Sequence, residues 1–139
     1  MSTGFDITGL DHVVLRITDL AVSQAFYEQV LGCSVERVQA EIGLTQLRAG
    51  RSLIDLVPVD GTLGKIGGAA PGAEGRNVDH ICLAILPFDE AKLRAHLEAH
   101  GVEILDEGLR YGAEGKGPSF YIQDPDGNTV ELKGPAIPE

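Results

Sequence analysis

An eight-residue segment occurs twice in the chain and constrains the fold more than any other feature. Leu10-Asp-His-Val-Val-Leu-Arg-Ile17 is echoed by Val78-Asp-His-Ile-Cys-Leu-Ala-Ile85, 68 positions later, with four of eight residues identical. Self-similarity at a fixed offset marks a duplicated supersecondary unit. The stretch after each copy repeats as well. Helices are expected over residues 19–31 and 88–100, closed by Gly32 and Gly101, because glycine just past a helix end takes the left-handed terminating conformation without a Cβ penalty. Asp19 suits the N-cap, Val22, Phe26 and Val30 recur every fourth residue, and Leu93 and Leu97 form the matching pair in the second copy. Each helix therefore has one face to bury.

Short alternating runs complete each unit. In the first they are Ser34–Val38, Gly43–Arg48 and Ser52–Val57, with Ala49-Gly50 as a turn. In the second they are Val102–Leu105, Ser119–Gln123 and Thr129–Lys133, with Asp124-Pro-Asp-Gly127 as a turn. Each half reads as βαβββ, an α+β arrangement. Residues 58–77 between the halves hold six glycines and two prolines, which marks a long connection, a linker or a lid. With 139 residues and 43% apolar content, one domain spanning 1–139 is expected: a first module over about 8–58, a linker over about 59–77 and a second module over about 78–134.

Strand periodicity sorts the repeat chemically, because successive side chains point to opposite faces. Val13, Leu15 and Ile17 share one face, leaving His12, Val14 and Arg16 on the other; Ile81, Leu83 and Ile85 likewise leave His80, Cys82 and Ala84. In the last strand of each half, Ile54 and Leu56 flank Asp55, and Val130 and Leu132 flank Glu131. A single histidine in an alternating strand is most simply structural; a duplicated histidine with a duplicated carboxylate is not so easily explained. Two sheets facing each other around a cavity would bring His12, Asp55, His80 and Glu131 together as a site for one divalent metal, with nickel, cobalt, zinc, manganese and iron all compatible with mixed nitrogen and oxygen ligands.

These residues resemble the vicinal oxygen chelate superfamily, which includes glyoxalase I, fosfomycin-resistance proteins, bleomycin-binding proteins and extradiol dioxygenases. The two D-H-[VI]-x-L-x-I strands and the segment Phe120-Tyr-Ile-Gln-Asp-Pro-Asp-Gly-Asn-Thr-Val-Glu-Leu132 carry the resemblance, which covers nearly the whole chain. It implies paired βαβββ modules forming an open, barrel-like mixed sheet around one metal cavity, commonly in a homodimer. It also implies a histidine on the first strand and a carboxylate on the fourth strand of each module as ligands, matching His12, Asp55, His80 and Glu131, with Arg16 in the place of a substrate-binding cation. Two positions depart from the glyoxalase I pattern: Asp55 is one methylene shorter than the glutamate found there, and Val59 stands in place of an asparagine.

The reaction implied is a glyoxalase I-like lyase or isomerase step on a small substrate through a metal-bound enediolate, with Glu131 as the base. If Asp55 does not ligate, His12, His80 and Glu131 form the two-histidine, one-carboxylate triad of Fe(II) dioxygenases, an extradiol-type alternative. A non-catalytic binder of a small molecule or antibiotic is the third reading; 5% aromatic content without tryptophan makes poor walls for it. Arg110, Tyr111 and Lys116 lie in a glycine-rich segment that reads as a flexible substrate loop or an ordinary exposed turn, and are further candidate substrate contacts. His96 and His100 are spaced for zinc, but Glu does not follow the first histidine as in HExxH, and they read as solvated helix residues. The net charge of −10 disfavours nucleic acid and anionic membranes. The opening Met-Ser-Thr-Gly-Phe-Asp has no basic or apolar leader pattern, and Cys33 and Cys82 form no CxxC. A cytoplasmic protein is expected.

Overall fold

The computed structural model describes residues 3–138; Met1 and Ser2, on which the leader expectation partly rests, lie outside the described residues. The first half consists of β1 (His12–Ile17), α1 (Leu20–Ala25, continued by a π-helical turn over Phe26–Val30), β2 (Ser34–Gln39), β3 (Leu44–Ala49) and β4 (Ser52–Pro58). The second consists of β5 (Ile81–Ala84), α2 (Glu90–Ala99), β6 (Asp106–Gly112), β7 (Gly115–Gln123) and β8 (Thr129–Lys133). Both halves form a four-stranded sheet with the same order, β1-β4-β3-β2 and β5-β8-β7-β6. In each, the first strand runs parallel to the last and the remaining pairs are antiparallel. The sheets are open and curved and do not close into a barrel. Among the described residues no helix is long and apolar enough to cross a membrane.

Local chemistry sets the element ends. The carboxylates of Asp19 and Asp89 accept from the backbone N–H of Val22 and Lys92, both at 3.1 Å, satisfying donors that a helix start leaves free. Gly32 and Gly101 take φ of 74° and 69°, as the terminating role requires. Two expectations are corrected. Residues 102–105 are not a strand; the pairing begins at Asp106. The segment 110–119 is not a flexible loop but the tight tip of the β6–β7 hairpin, because glycines at 112, 115 and 117 let the strands pair and turn where side chains would collide. A Cβ on Gly117, for instance, would meet the Pro135 carbonyl oxygen at 2.5 Å.

The two halves share one core. Leu15, Ile17, Leu47, Ile54 and Leu56 from the first sheet and Phe120, Ile122, Val130 and Leu132 from the second join Phe26, Tyr27 and Leu97 of the helical segments in one apolar cluster. Both sheets therefore turn their apolar faces inward, toward the helices. Their opposite faces, which carry the histidines and carboxylates, lie on the far sides of that core. A polar latch accompanies the apolar contact: the Asp126 carboxylate accepts from Thr18 Oγ1 at 2.7 Å and Ser23 Oγ at 3.0 Å, and Asn77 Nδ2 donates to Arg16 O at 2.9 Å and Asn128 Oδ1 at 3.0 Å.

Candidate metal centre

The pairing register builds the same polar row twice. Across β1, β4 and β3, Val14 lies opposite Asp55 and Asp55 opposite Gln46, with His12 two residues before Val14. Across β5, β8 and β7, Cys82 lies opposite Glu131 and Glu131 opposite Tyr121, with His80 two residues before Cys82. Same-face neighbours in a sheet sit close enough for their side chains to meet.

Each histidine is oriented by the residue before it. His12 Nδ1 is 2.7 Å from Asp11 Oδ1, and His80 Nδ1 is 2.7 Å from Asp79 Oδ2. A carboxylate can only accept, so Nδ1 carries the proton and Nε2 keeps its lone pair. That is the carboxylate–histidine arrangement that presents imidazole to a metal. The hydrogen bond to Asp11, followed by the charge of Asp55, holds the His12 imidazole above its ordinary pKa. Its hydrogen bond to His80 likewise holds Asp79 below the usual carboxylate range.

The Nε2 atoms face the buried carboxylates, and distance separates the halves. His80 Nε2 lies 3.2 Å from Glu131 Oε1. Two donors at about 2.1 Å from one ion, roughly 100° apart, are separated by about that distance, so this pair fits neighbouring positions on a divalent cation. Ser119 Oγ donates to Glu131 Oε2 at 2.6 Å, and the Tyr121 hydroxyl is turned to the same carboxylate. Burial alone would raise the Glu131 carboxyl, but these hydrogen bonds and His80 together bring it below its usual range, keeping it in the form that ligates. The neighbouring Cys82 thiol is pushed up to about 11, by burial and then by Glu131. In the first half, His12 Nε2 and Asp55 Oδ2 are 3.9 Å apart, a wider pair than His80 and Glu131. Gln46 Nε2 lies 3.2 Å from both Asp55 oxygens. Gln46 thus holds the Asp55 carboxylate beside His12.

The two rows do not converge within one chain. Among the described residues no three His, Cys, Asp or Glu side chains come together in a metal-sized cluster. The reason is the inward orientation of the apolar faces, which sends the two half-sites outward. The substrate residues expected from sequence are also dispersed. Arg16 donates through Nε to Gly64 O at 2.8 Å and through its other nitrogens to Gly68 and Ala69, so its guanidinium fastens the linker. Arg110 lies over the Tyr121 ring, 5.6 Å from its centroid, beside the Glu131 row. Tyr111 is exposed at the hairpin tip, and Lys116 lies opposite it. By strand parity Lys116 shares the face of Phe120 rather than that of Tyr121. His96 Nε2 bonds the Val30 carbonyl at 2.7 Å, a structural contact. Asp11, Asp79, Gln46, Ser119 and Tyr121 were not singled out by sequence reasoning; the aspartates were visible as half of each repeated Asp-His pair.

Residues 9–132 match the family described as the Glyoxalase/Bleomycin resistance protein/Dioxygenase superfamily. The chain is 29% identical over 132 residues to virulence protein STM3117 of Salmonella typhimurium, covering 91% of this chain and 83% of that protein. The crystal structure of that protein matches with a TM-score of 0.77, over 95% of this chain and 100% of the other. Mitochondrial methylmalonyl-CoA epimerase of Bos taurus is 28% identical over 130 residues, 89% of this chain and 73% of that protein. A fosfomycin resistance protein, FosX, from Listeria monocytogenes, crystallised with Mn(II), shares the fold at a TM-score of 0.69 and 21% identity, over 95% of this chain and 94% of the other.

Proposed function

Because the chain belongs to the glyoxalase/bleomycin resistance protein/dioxygenase superfamily, we propose that it is a metal-dependent enzyme whose site is shared between two copies, His12 of one copy joining His80 and Glu131 of the other around one divalent ion. The observation that carries this reading is the duplicated, outward-facing half-site, in which each histidine has Nδ1 fixed by an aspartate and Nε2 turned to a buried carboxylate. Two incomplete sites on one chain are completed in pairs by a two-fold dimer. Apolar side chains beside the histidines support it. Leu10 is 90% exposed and Leu86 82% exposed, with Phe5, Ile7 and Val14 also exposed, and such a group is covered at little cost by a second copy.

An ion held there supplies Lewis acidity toward two neighbouring oxygens of a small substrate. Glu131, held by Ser119, would be among the residues that hold the ion, and in a glyoxalase I-like or epimerase-like reaction the carboxylate, free of the ion, would take up the proton removed from the carbon beside a carbonyl. The Mn(II) of the FosX crystal makes manganese the first ion to load. Asp79→Ala leaves the His80 ring without its fixing acceptor and should weaken metal binding about ten- to a hundred-fold, read by chelator competition, while the fold is retained. Glu131→Gln should abolish turnover of the glutathione–methylglyoxal hemithioacetal or racemisation of methylmalonyl-CoA, whichever the native chain performs. Loss of metal with activity assigns Glu131 as a ligand, and loss of activity alone assigns it as the base; wild-type turnover would remove it from the mechanism.

The hold of Gln46 on both Asp55 oxygens, which leaves three ligands, also allows a second reading. Three donors, His12, His80 and Glu131, make the two-histidine, one-carboxylate set of Fe(II) dioxygenases. Oxygen uptake by the Fe(II)-loaded protein with catechols tests it, and none across a broad panel would count against it.

A further inference from the structure

A lysine on the same face as Glu131 makes no ion pair among the described residues. Lys133 lies two residues beyond Glu131 on β8, on the same face, and is only 7% exposed. Its Nζ makes one hydrogen bond among the described residues, to the carbonyl of the adjacent Gly134 at a long 3.4 Å, and no carboxylate oxygen of those residues lies within 4.0 Å of it. In a chain of net charge −10, a buried ammonium left without an acidic partner is unexpected, since burying a cation costs unless it is paired and hydrogen-bonded.

The surroundings leave room for such a partner. Lys133 and Glu131 both line a cavity of about 580 Å³, together with His80, Cys82, Tyr111 and Gly112. The residues paired with Lys133 on either side are small, Ala84 on β5 and Ser119 on β7. Over it passes Gly112, where a Cβ would meet Lys133 Cε at 3.0 Å and Cδ at 3.2 Å, so the hairpin tip lies close against the lysine stem. Glu114, the remaining acidic residue of the lining, is exposed and does not reach Nζ.

We propose that Lys133 is the anion-binding residue of this cavity, and that the substrate is a small oxyacid whose carboxylate or phospho group pairs with Nζ while its other oxygens face His80 and Glu131. Only the placement of those other oxygens rests on the metal-site reading. The strand repeat sets Glu131 and Lys133 about 7 Å apart along β8, a span that the oxygens of one small oxyacid group can bridge. Lys133 is a binding residue here, with no part in proton transfer.

The test uses acetate, malonate and phosphonoacetate as probes, the last two carrying a second oxyanion one carbon from the first. In calorimetry on the Mn(II)-loaded full chain, malonate or phosphonoacetate should bind about ten- to a hundred-fold more tightly than acetate, the worth of one charge-assisted contact. Lys133→Met should reduce that preference to near one, and Lys133→Arg should keep most of it; which probe wins distinguishes a carboxylate from a phospho substrate. Chelation of the ion by the probe alone would survive Lys133→Met, and a preserved preference in that variant overturns the proposal. The wild-type chain gives an independent reading whether or not the variant folds. It has four lysines, and with carbon-13 labelled lysine, malonate or phosphonoacetate should move the Lys133 side-chain resonance in metal-free protein. An unmoved Lys133 signal overturns the proposal, whereas a moved signal in a protein that takes up no Mn(II) keeps Lys133 as the anion site and refutes the metal reading instead.

Discussion

Refolding an equimolar mixture of His12→Ala and His80→Ala chains is expected to return metal binding to about a quarter of the wild-type sites, although each variant refolded alone returns almost none. The two histidines belong to separate half-sites, each with one buried carboxylate within 4.0 Å of Nε2 among the described residues. A site that draws His12 from one copy and His80 from the other collects both lesions at one end of a mixed dimer and neither at the other. Random pairing makes half of the dimers mixed, and one of their two sites is intact. If each site were built within one chain, every site in the mixture would carry one lesion and nothing would be restored. The side chains are 45% and 36% exposed, so truncating them removes ligands without opening the core. Metal per chain by elemental mass spectrometry reads the result. No recovery on mixing would rule out assembly between copies; wild-type binding by either variant alone would rule out that histidine as a ligand.

Strand parity made the polar faces legible from sequence, and parity is also where legibility stops. The alternation around His12, His80, Asp55 and Glu131 placed all four on polar faces, because a half-buried strand cannot turn an apolar row outward without cost. It could not say which way the two sheets face. That depends on where the helices and the long connection pack, and with the helical residues Phe26, Tyr27 and Leu97 inside the shared core the polar faces are left pointing apart. Arg16 shows the same limit: its face was readable, but its hydrogen-bond acceptors are linker carbonyls 48 or more residues away. The β6 strand was misplaced because Gly108 and Gly112 dilute its alternation. Ser119, Tyr121 and Gln46 gained meaning only once the register set them beside Glu131 and Asp55. Lys133 reads in sequence as an ordinary strand-end lysine, and only burial without a partner distinguishes it.

Asp124→Ala is expected to destabilise the chain by about 3–5 kcal/mol, lowering its thermal midpoint by about 10 °C or more at fixed protein concentration. Asp124 is 5% exposed, and its carboxylate accepts four hydrogen bonds. Tyr27 Oη donates to Oδ2 at 2.6 Å and Asn128 Nδ2 at 2.8 Å, while the backbone N–H groups of Asn128 and Asp126 donate to Oδ1 at 2.8 and 3.0 Å. Removing the carboxylate strands these donors away from water, and leaving buried donors unmade costs more than a hydrogen bond contributes. Burial and the Asp124 charge keep the Tyr27 phenol far above its ordinary pKa, so that hydroxyl remains a donor at every pH the fold survives. Tyr27→Phe, which gives up one bond and keeps the ring against Phe26, should cost only about 1–2 kcal/mol. The larger loss reaches beyond stability. The turn closed by Asp124 joins β7 to β8, the strands that hold Ser119, Tyr121 and Glu131 in register, and through Tyr27 it ties that hairpin to the first half of the chain. Urea unfolding with an unchanged slope measures the difference; an Asp124→Ala midpoint close to the wild type would mean that water replaces the carboxylate and that the Tyr27–Asp124 contact is not what fixes the two halves together.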